Sequence, residues 1–121
     1  MAFRFEHLTI WKEAIAYASD IYALTKVFPK DELFALTNQL RRAASSISTN
    51  IAEGAGASSK KDFSHFLDIA IKSAYETVSL LYFAEQQGYV SEKIRLSLYE
   101  DADRIVRKIK AFRFQLLSDK P

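Results

Sequence analysis

The side chains in this sequence equipped for chemistry are few. Two histidines occur, His7 and His65, and Asp62-x-x-His65 is the nearest approach to the Glu-x-x-His element with which carboxylate-bridged di-metal bundles hold their ions. Such a site needs two of these elements and two further inward carboxylates. The sequence has no second copy, so neither a metal nor any other cofactor is expected. Cysteine is absent, which removes disulfide and thiolate chemistry. There is no glycine-rich phosphate loop and no recognisable serine–histidine motif. The expectation is a non-enzymatic protein without catalytic residues.

What remains is charge and hydrogen bonding. Between Arg104 and Ser118 stand five basic residues, Arg104, Arg107, Lys108, Lys110 and Arg113, and no acid. On a helix they occupy the arc opposite the apolar stripe. That is what an ordinary solvated face looks like, and cations near a helix C-terminus also complement its dipole. The alternative is a face that neutralises phosphates with little base readout. The formal net charge of +2 is too small to decide between them.

A second polar feature is the run Ser45-Ser46-Ile47-Ser48-Thr49-Asn50, whose polar members each cost a helix roughly 0.5 kcal/mol relative to alanine. Gln39, Arg42, Ser46, Thr49 and Glu53 form one row there, opposite a leucine row. The row is either a solvated face or a strip of small side chains that admits another helix, a second subunit or a phosphate backbone. Arg41 and Arg42 flank it, and Lys60, Lys61 and Lys72 complete the candidate phosphate contacts. Either Arg41 or Arg42 is expected to pair with Glu76.

The elements that must position these residues are helical. Three glycines and two prolines in 121 residues are too few for the many turns of an all-β fold. Four helices are expected, over 8–27, 32–53, 60–87 and 92–118. The first carries the row Leu8, Trp11, Ile15, Ala18, Tyr22 and Thr25, and Phe28-Pro29 ends it. Asp31 is the expected N-cap of the second, whose row is Leu33, Leu36, Leu40, Ala43, Ile47 and Ile51. Gly54 and Gly56 supply its C-terminal cap and turn. Ser58 or Ser59 caps the third, with the row Phe63, Leu67, Ala70, Ala74, Val78 and Leu81, and Gly88 stops it. Ser91 caps the fourth, with the row Ile94, Leu98, Ala102, Ile105, Ile109, Phe112 and Leu116. Connections this short make sequential neighbours antiparallel, so the fold class is an all-α, up-down-up-down four-helix bundle, one domain over 1–121.

The third helix has more apolar surface than one core uses. A second row, Phe66, Ile69, Ser73, Glu76, Leu80 and Phe83, lies about 100° or more from the first. Scattered surface hydrophobes would explain it, but a subunit interface of a homo-oligomer is the preferred reading. No run of about 18 uncharged apolar residues suggests a membrane span, the stretch Met1 to Glu6 does not read as a signal peptide, and the expected location is the cytoplasm.

The stretch Phe28-Pro29, Glu32, Leu36-Thr37, Gln39-Leu40-Arg41-Arg42-Ala43-Ala44, Ser46-Ile47 and Asn50-Ile51-Ala52-Glu53-Gly54 resembles the bacterial four-helix-bundle family encoded in intervening sequences of 23S ribosomal RNA genes. Leu8, Trp11-Lys12, Ala14, Phe63 to Ala70, Ser73, Glu76 and Gly88-Tyr89 extend the likeness over about residues 5 to 90. The resemblance implies antiparallel bundles assembled as homopentamers, with no established catalytic function. A related group, the accessory proteins of diversity-generating retroelements, implies nucleic acid, RNA or DNA, and a reverse transcriptase or other protein as possible partners. Two functions are therefore expected: phosphate-directed nucleic-acid binding or, alternatively, a structural adaptor for protein–protein interaction.

Overall fold

A computed structural model describes residues 2–118. Among them are four α-helices and no strand: α1 (Thr9–Thr25), α2 (Asn38–Ala55), α3 (Lys60–Gln86) and α4 (Glu92–Ser118). Short 3-10 turns at Arg4–His7 and Lys30–Glu32 and a π-helical turn at Leu33–Thr37 fill the connections. α2 lies against both α1 and α3, and α4 closes on α3 and α1.

The caps follow local chemistry. The Ser59 hydroxyl accepts from the Asp62 amide at 3.1 Å, and the Ser91 hydroxyl accepts from the Ile94 amide at 3.2 Å, each satisfying a helix-end donor. Gly88, at φ 80°, turns the chain after α3, a conformation that costs other residues about 1–2 kcal/mol. Asp31 does not cap α2. It lies inside the 3-10 turn Lys30–Glu32, and Ala35, at φ −124° and ψ −105°, breaks the helical path before α2 proper begins at Asn38. Gly56 ends α2 with an ordinary right-handed conformation, so its conformational freedom is unused. Gly54 is buried inside α2, and its role is a close approach to α3: a Cβ there would stand 2.8 Å from Phe63 Cδ1 and from Phe66 Cβ.

The core rows of α2, α3 and α4 match the periodic reading except at two ends, where Leu33 and Ile94 are exposed. In α1 the expected row is displaced. Ile15 and Tyr22 are 42% and 43% exposed, while Ile10, Ala14, Tyr17, Ala18 and Ile21 are buried and Leu8 and Trp11 pack at the margin. Side-chain size decides this. Fully buried Ala14, one turn from Ala18, lets the neighbouring helices approach, and the Tyr17 hydroxyl, lodged in the core, donates to the Leu98 carbonyl at 3.1 Å. Burial pushes the Tyr17 phenol well above its usual range, and Asp101 and Asp20 add to the effect, so the neutral hydroxyl is the form the core holds.

Candidate functional site

The basic run of α4 is largely neutralised by its neighbours. Arg104 donates to Glu13 at 3.3 Å and to Asp101 at 3.2 Å, Lys108 donates to Glu13 at 2.7 Å, Arg107 pairs with Asp103 at 3.1 Å, and Arg113 pairs with Asp68. The Lys108 hydrogen bond, with Arg104 beside it, holds the Glu13 carboxyl below its usual range, and the Glu13 and Asp101 bonds raise Arg104 above its own. Three of these pairs, two through Glu13 and one through Asp68, tie α4 to α1 and α3. Lys110 stands exposed and makes no ion pair among the described residues.

The two arginines of α2 have separate surroundings. Arg41 turns to α1, where its Nε donates to Thr25 Oγ1 at 2.8 Å and its guanidinium lies 4.7 Å from the centroid of the Tyr22 ring. The expected alternative of an Arg41–Glu76 pair is thus overturned, because buried Thr25 and the Tyr22 face offer a partly desolvated seat on the opposite side. Arg42 does share a polar cleft of about 550 Å³ with Glu76, Phe34, Asn38, Gln39 and Ser46. Neither Arg42 nor Glu76 makes an ion pair among the described residues, so the expected Arg42–Glu76 pair is not formed either, although both line the cleft.

The serine-rich run of α2 is satisfied within the chain. Ser45 Oγ donates to the Arg41 carbonyl at 2.8 Å, Thr49 Oγ1 to that of Ser45 at 3.0 Å, and Asn50 Nδ2 to Ser46 O and Oγ at 2.8 and 2.9 Å. Ser73 of α3 reaches across to Ser46 Oγ at 2.9 Å. The small side chains of Ser46 and Gly54 therefore admit α3, and this packing offsets their poor helix propensity.

On α3 the second apolar row divides. Ser73 is buried, Phe66, Ile69 and Leu80 are half-buried, and Glu76 and Phe83 are exposed. Lys60, Lys61 and Lys72 are exposed on the same helix. A shallow groove of about 190 Å³ opens between α3 and α4, with Tyr75, Val78, Tyr99 and Val106 among its walls. His65 is exposed with its ring 6.2 Å from that of Phe66, and no cluster of three or more His, Asp or Glu side chains that could hold a metal ion occurs among the described residues. Sequence reasoning missed Phe34 and Asn38. The adjacent Leu33-Phe34 pair held the signal, since only one of two neighbouring large apolar residues fits a single helical row.

Fold and surface together define, among the described residues, an all-helical protein of four α-helices tied by ion pairs. Residues 6–111 match the 23S rRNA-intervening sequence protein family, and the chain belongs to it. It is similar to a crystal structure from Bacteroides thetaiotaomicron of a protein with unknown function from the S23 ribosomal protein family, at 25% identity and a TM-score of 0.77 over 87% of this chain and 98% of that one. No curated protein matches. No helix among the described residues is long and apolar enough to cross a membrane.

Proposed function

We propose that this chain is a non-enzymatic, cytoplasmic, homo-oligomeric bundle that binds RNA or DNA through backbone phosphates. Its helices run antiparallel, up-down-up-down. The contacts Glu85–Arg95, Tyr82–Tyr99 and Asp68–Arg113 support this order, because they pair rising positions of α4 with falling positions of α3. Exposed Phe83, Tyr75 and Tyr82 support a subunit interface on α3, and the family resemblance makes a pentamer the assembly to test.

One observation carries the nucleic-acid reading: Arg42, Lys61, Lys72 and Lys110 are exposed cations with no ion-pair partner among the described residues. Lys61 and Lys72 lie about three turns apart and share one face of α3. Lys110, one turn before Arg113, sits level with Lys72, one turn beyond Asp68. Arg104, Arg107, Lys108 and Arg113 must release a carboxylate before they reach a phosphate, so they contribute less. Repetition around an oligomer multiplies the field.

The test is fluorescence anisotropy with structured RNA and with single strands at low salt. Affinity should fall steeply as salt rises, and Lys61→Gln with Lys72→Gln and Lys110→Gln should flatten that slope. Absence of binding at low salt would sink the reading. The neutralised α4 face favours a second reading, an adaptor that recognises one protein partner, such as a reverse transcriptase, through exposed apolar side chains. It predicts salt-tolerant association unaffected by the lysine changes.

A further inference from the structure

We propose that the α2–α3 cleft binds a single unstacked guanine nucleotide of a single-stranded nucleic acid, with Glu76 reading the base, Phe34 stacking on it and Arg42 holding a phosphate. This rests on the nucleic-acid reading above and adds to it a base preference that phosphate contacts do not supply.

The walls of the cleft select the chemistry. At about 550 Å³ it is the size of a small-molecule site, and it is lined by groups that need hydrogen-bond partners: the Asn38 and Gln39 amides, the Arg42 guanidinium and the Glu76 carboxylate. An apolar helix laid into it would leave those groups unpaired, at a cost for each. A ligand with an anionic end, a planar ring and paired N–H donors satisfies them together. The Phe34 ring at the rim is 89% exposed, a free face of the kind on which bases stack.

The carboxylate fixes which base. A carboxylate accepts two parallel N–H bonds, and it has only acceptors to offer. On the Watson–Crick edge guanine alone presents two adjacent donors, N1–H and the N2 amine. Adenine and cytosine place an acceptor beside their single amine, and uracil flanks its one N–H with two carbonyls, so each sets a lone pair against Glu76. The Asn38 and Gln39 amides then face the acceptors O6 and N7, and Arg42 is left for the phosphate. Unpaired bases are the form in which RNA exposes this edge to protein.

The test uses the full chain labelled with ¹⁵N and titrated with GMP, AMP, CMP and UMP, beside anisotropy with a uridine-only strand and the same strand carrying one guanosine. GMP should shift the resonances of Phe34, Arg42 and Glu76 and bind about tenfold tighter than the other three. Glu76→Gln, at an exposed position that leaves folding intact, should erase that preference while the uridine-only strand still binds. Equal binding of GMP and AMP, or a preference that survives Glu76→Gln, would overturn the proposal and leave phosphate binding standing. Selective GMP binding without binding of either strand would overturn the phosphate reading and, with it, the strand-borne guanine, and loss of all binding would overturn both. A native mass that falls on Phe34→Ala would place a second copy in the cleft and also refute the inference.

Discussion

Alanine at Gly54 should destabilise this protein although alanine is the better helix former. In an exposed helix interior the exchange gains about 1 kcal/mol. Here the new Cβ meets Phe63 Cδ1 and Phe66 Cβ at 2.8 Å, closer than carbon atoms sit in any relaxed core. Phe63 has nowhere to go: it is buried, its ring lies 5.4 Å from that of Phe112, and the Arg4 guanidinium covers it at 5.1 Å. Phe66 is met at its Cβ, so relief requires α3 to move. Overpacking of this kind costs about 1–3 kcal/mol, which exceeds the propensity gain over most of that range. A net loss of about 1 kcal/mol, and of at most about 2, is expected, a fall of up to about 8 °C in Tm for a chain of this size. Gly56→Ala is the control, because its Cβ would find only the Glu53 and Ala52 carbonyl oxygens at 3.6 and 4.0 Å, and it should stay within about 0.5 kcal/mol of the parent. Far-UV circular dichroism melts at one fixed protein concentration, which removes any mass-action effect of assembly, compare the two. A Gly54→Ala protein melting at or above the parent would refute the close-approach argument.

Arg41→Ala should lose about 1–2 kcal/mol in urea denaturation, from the Thr25 hydrogen bond and the Tyr22 ring contact. Arg41→Lys should recover little of it, since the planar fork is what both contacts use. Thr37 Oγ1 is buried and has no hydrogen-bond partner among the described residues, so Thr37→Val should leave stability unchanged or raise it by up to about 1 kcal/mol, and a loss on melting would reveal a partner for the hydroxyl. Glu13 is held below its ordinary value of 4.5, first by Lys108. A depressed folded value means that its contribution is present above pH 4.5 and fades as pH falls below it. The contribution is modest because both cations are about half exposed. Glu13→Gln should therefore lower stability slightly at neutral pH and flatten the acid limb of the pH–stability curve, and an unchanged acid limb would refute the linkage.

Periodicity and punctuation were enough to place four helices, because a 3.6-residue apolar repeat and a serine cap are local properties that a chain carries wherever it folds. The rows of α2, α3 and α4 were legible for that reason, as were the Ser59 and Ser91 caps. The phase of α1 was not. Its apolar residues encircle more than one face, and only the neighbouring helices select the face with Ala14 and Ala18, where small size permits contact. Likewise the polar run of α2 announced something unusual, but whether it met solvent, a partner or another helix depended on Ser73 arriving from 27 residues away. Charge was read least well. The sequence showed five cations between Arg104 and Ser118, and only the fold set Glu13 and Asp68 beside three of them, leaving Arg42, Lys61, Lys72 and Lys110 as the candidate contacts without an ion pair among the described residues. A residue's type fixes what it offers a partner, whereas the long-range approach of chain segments decides whether that offer has already been taken.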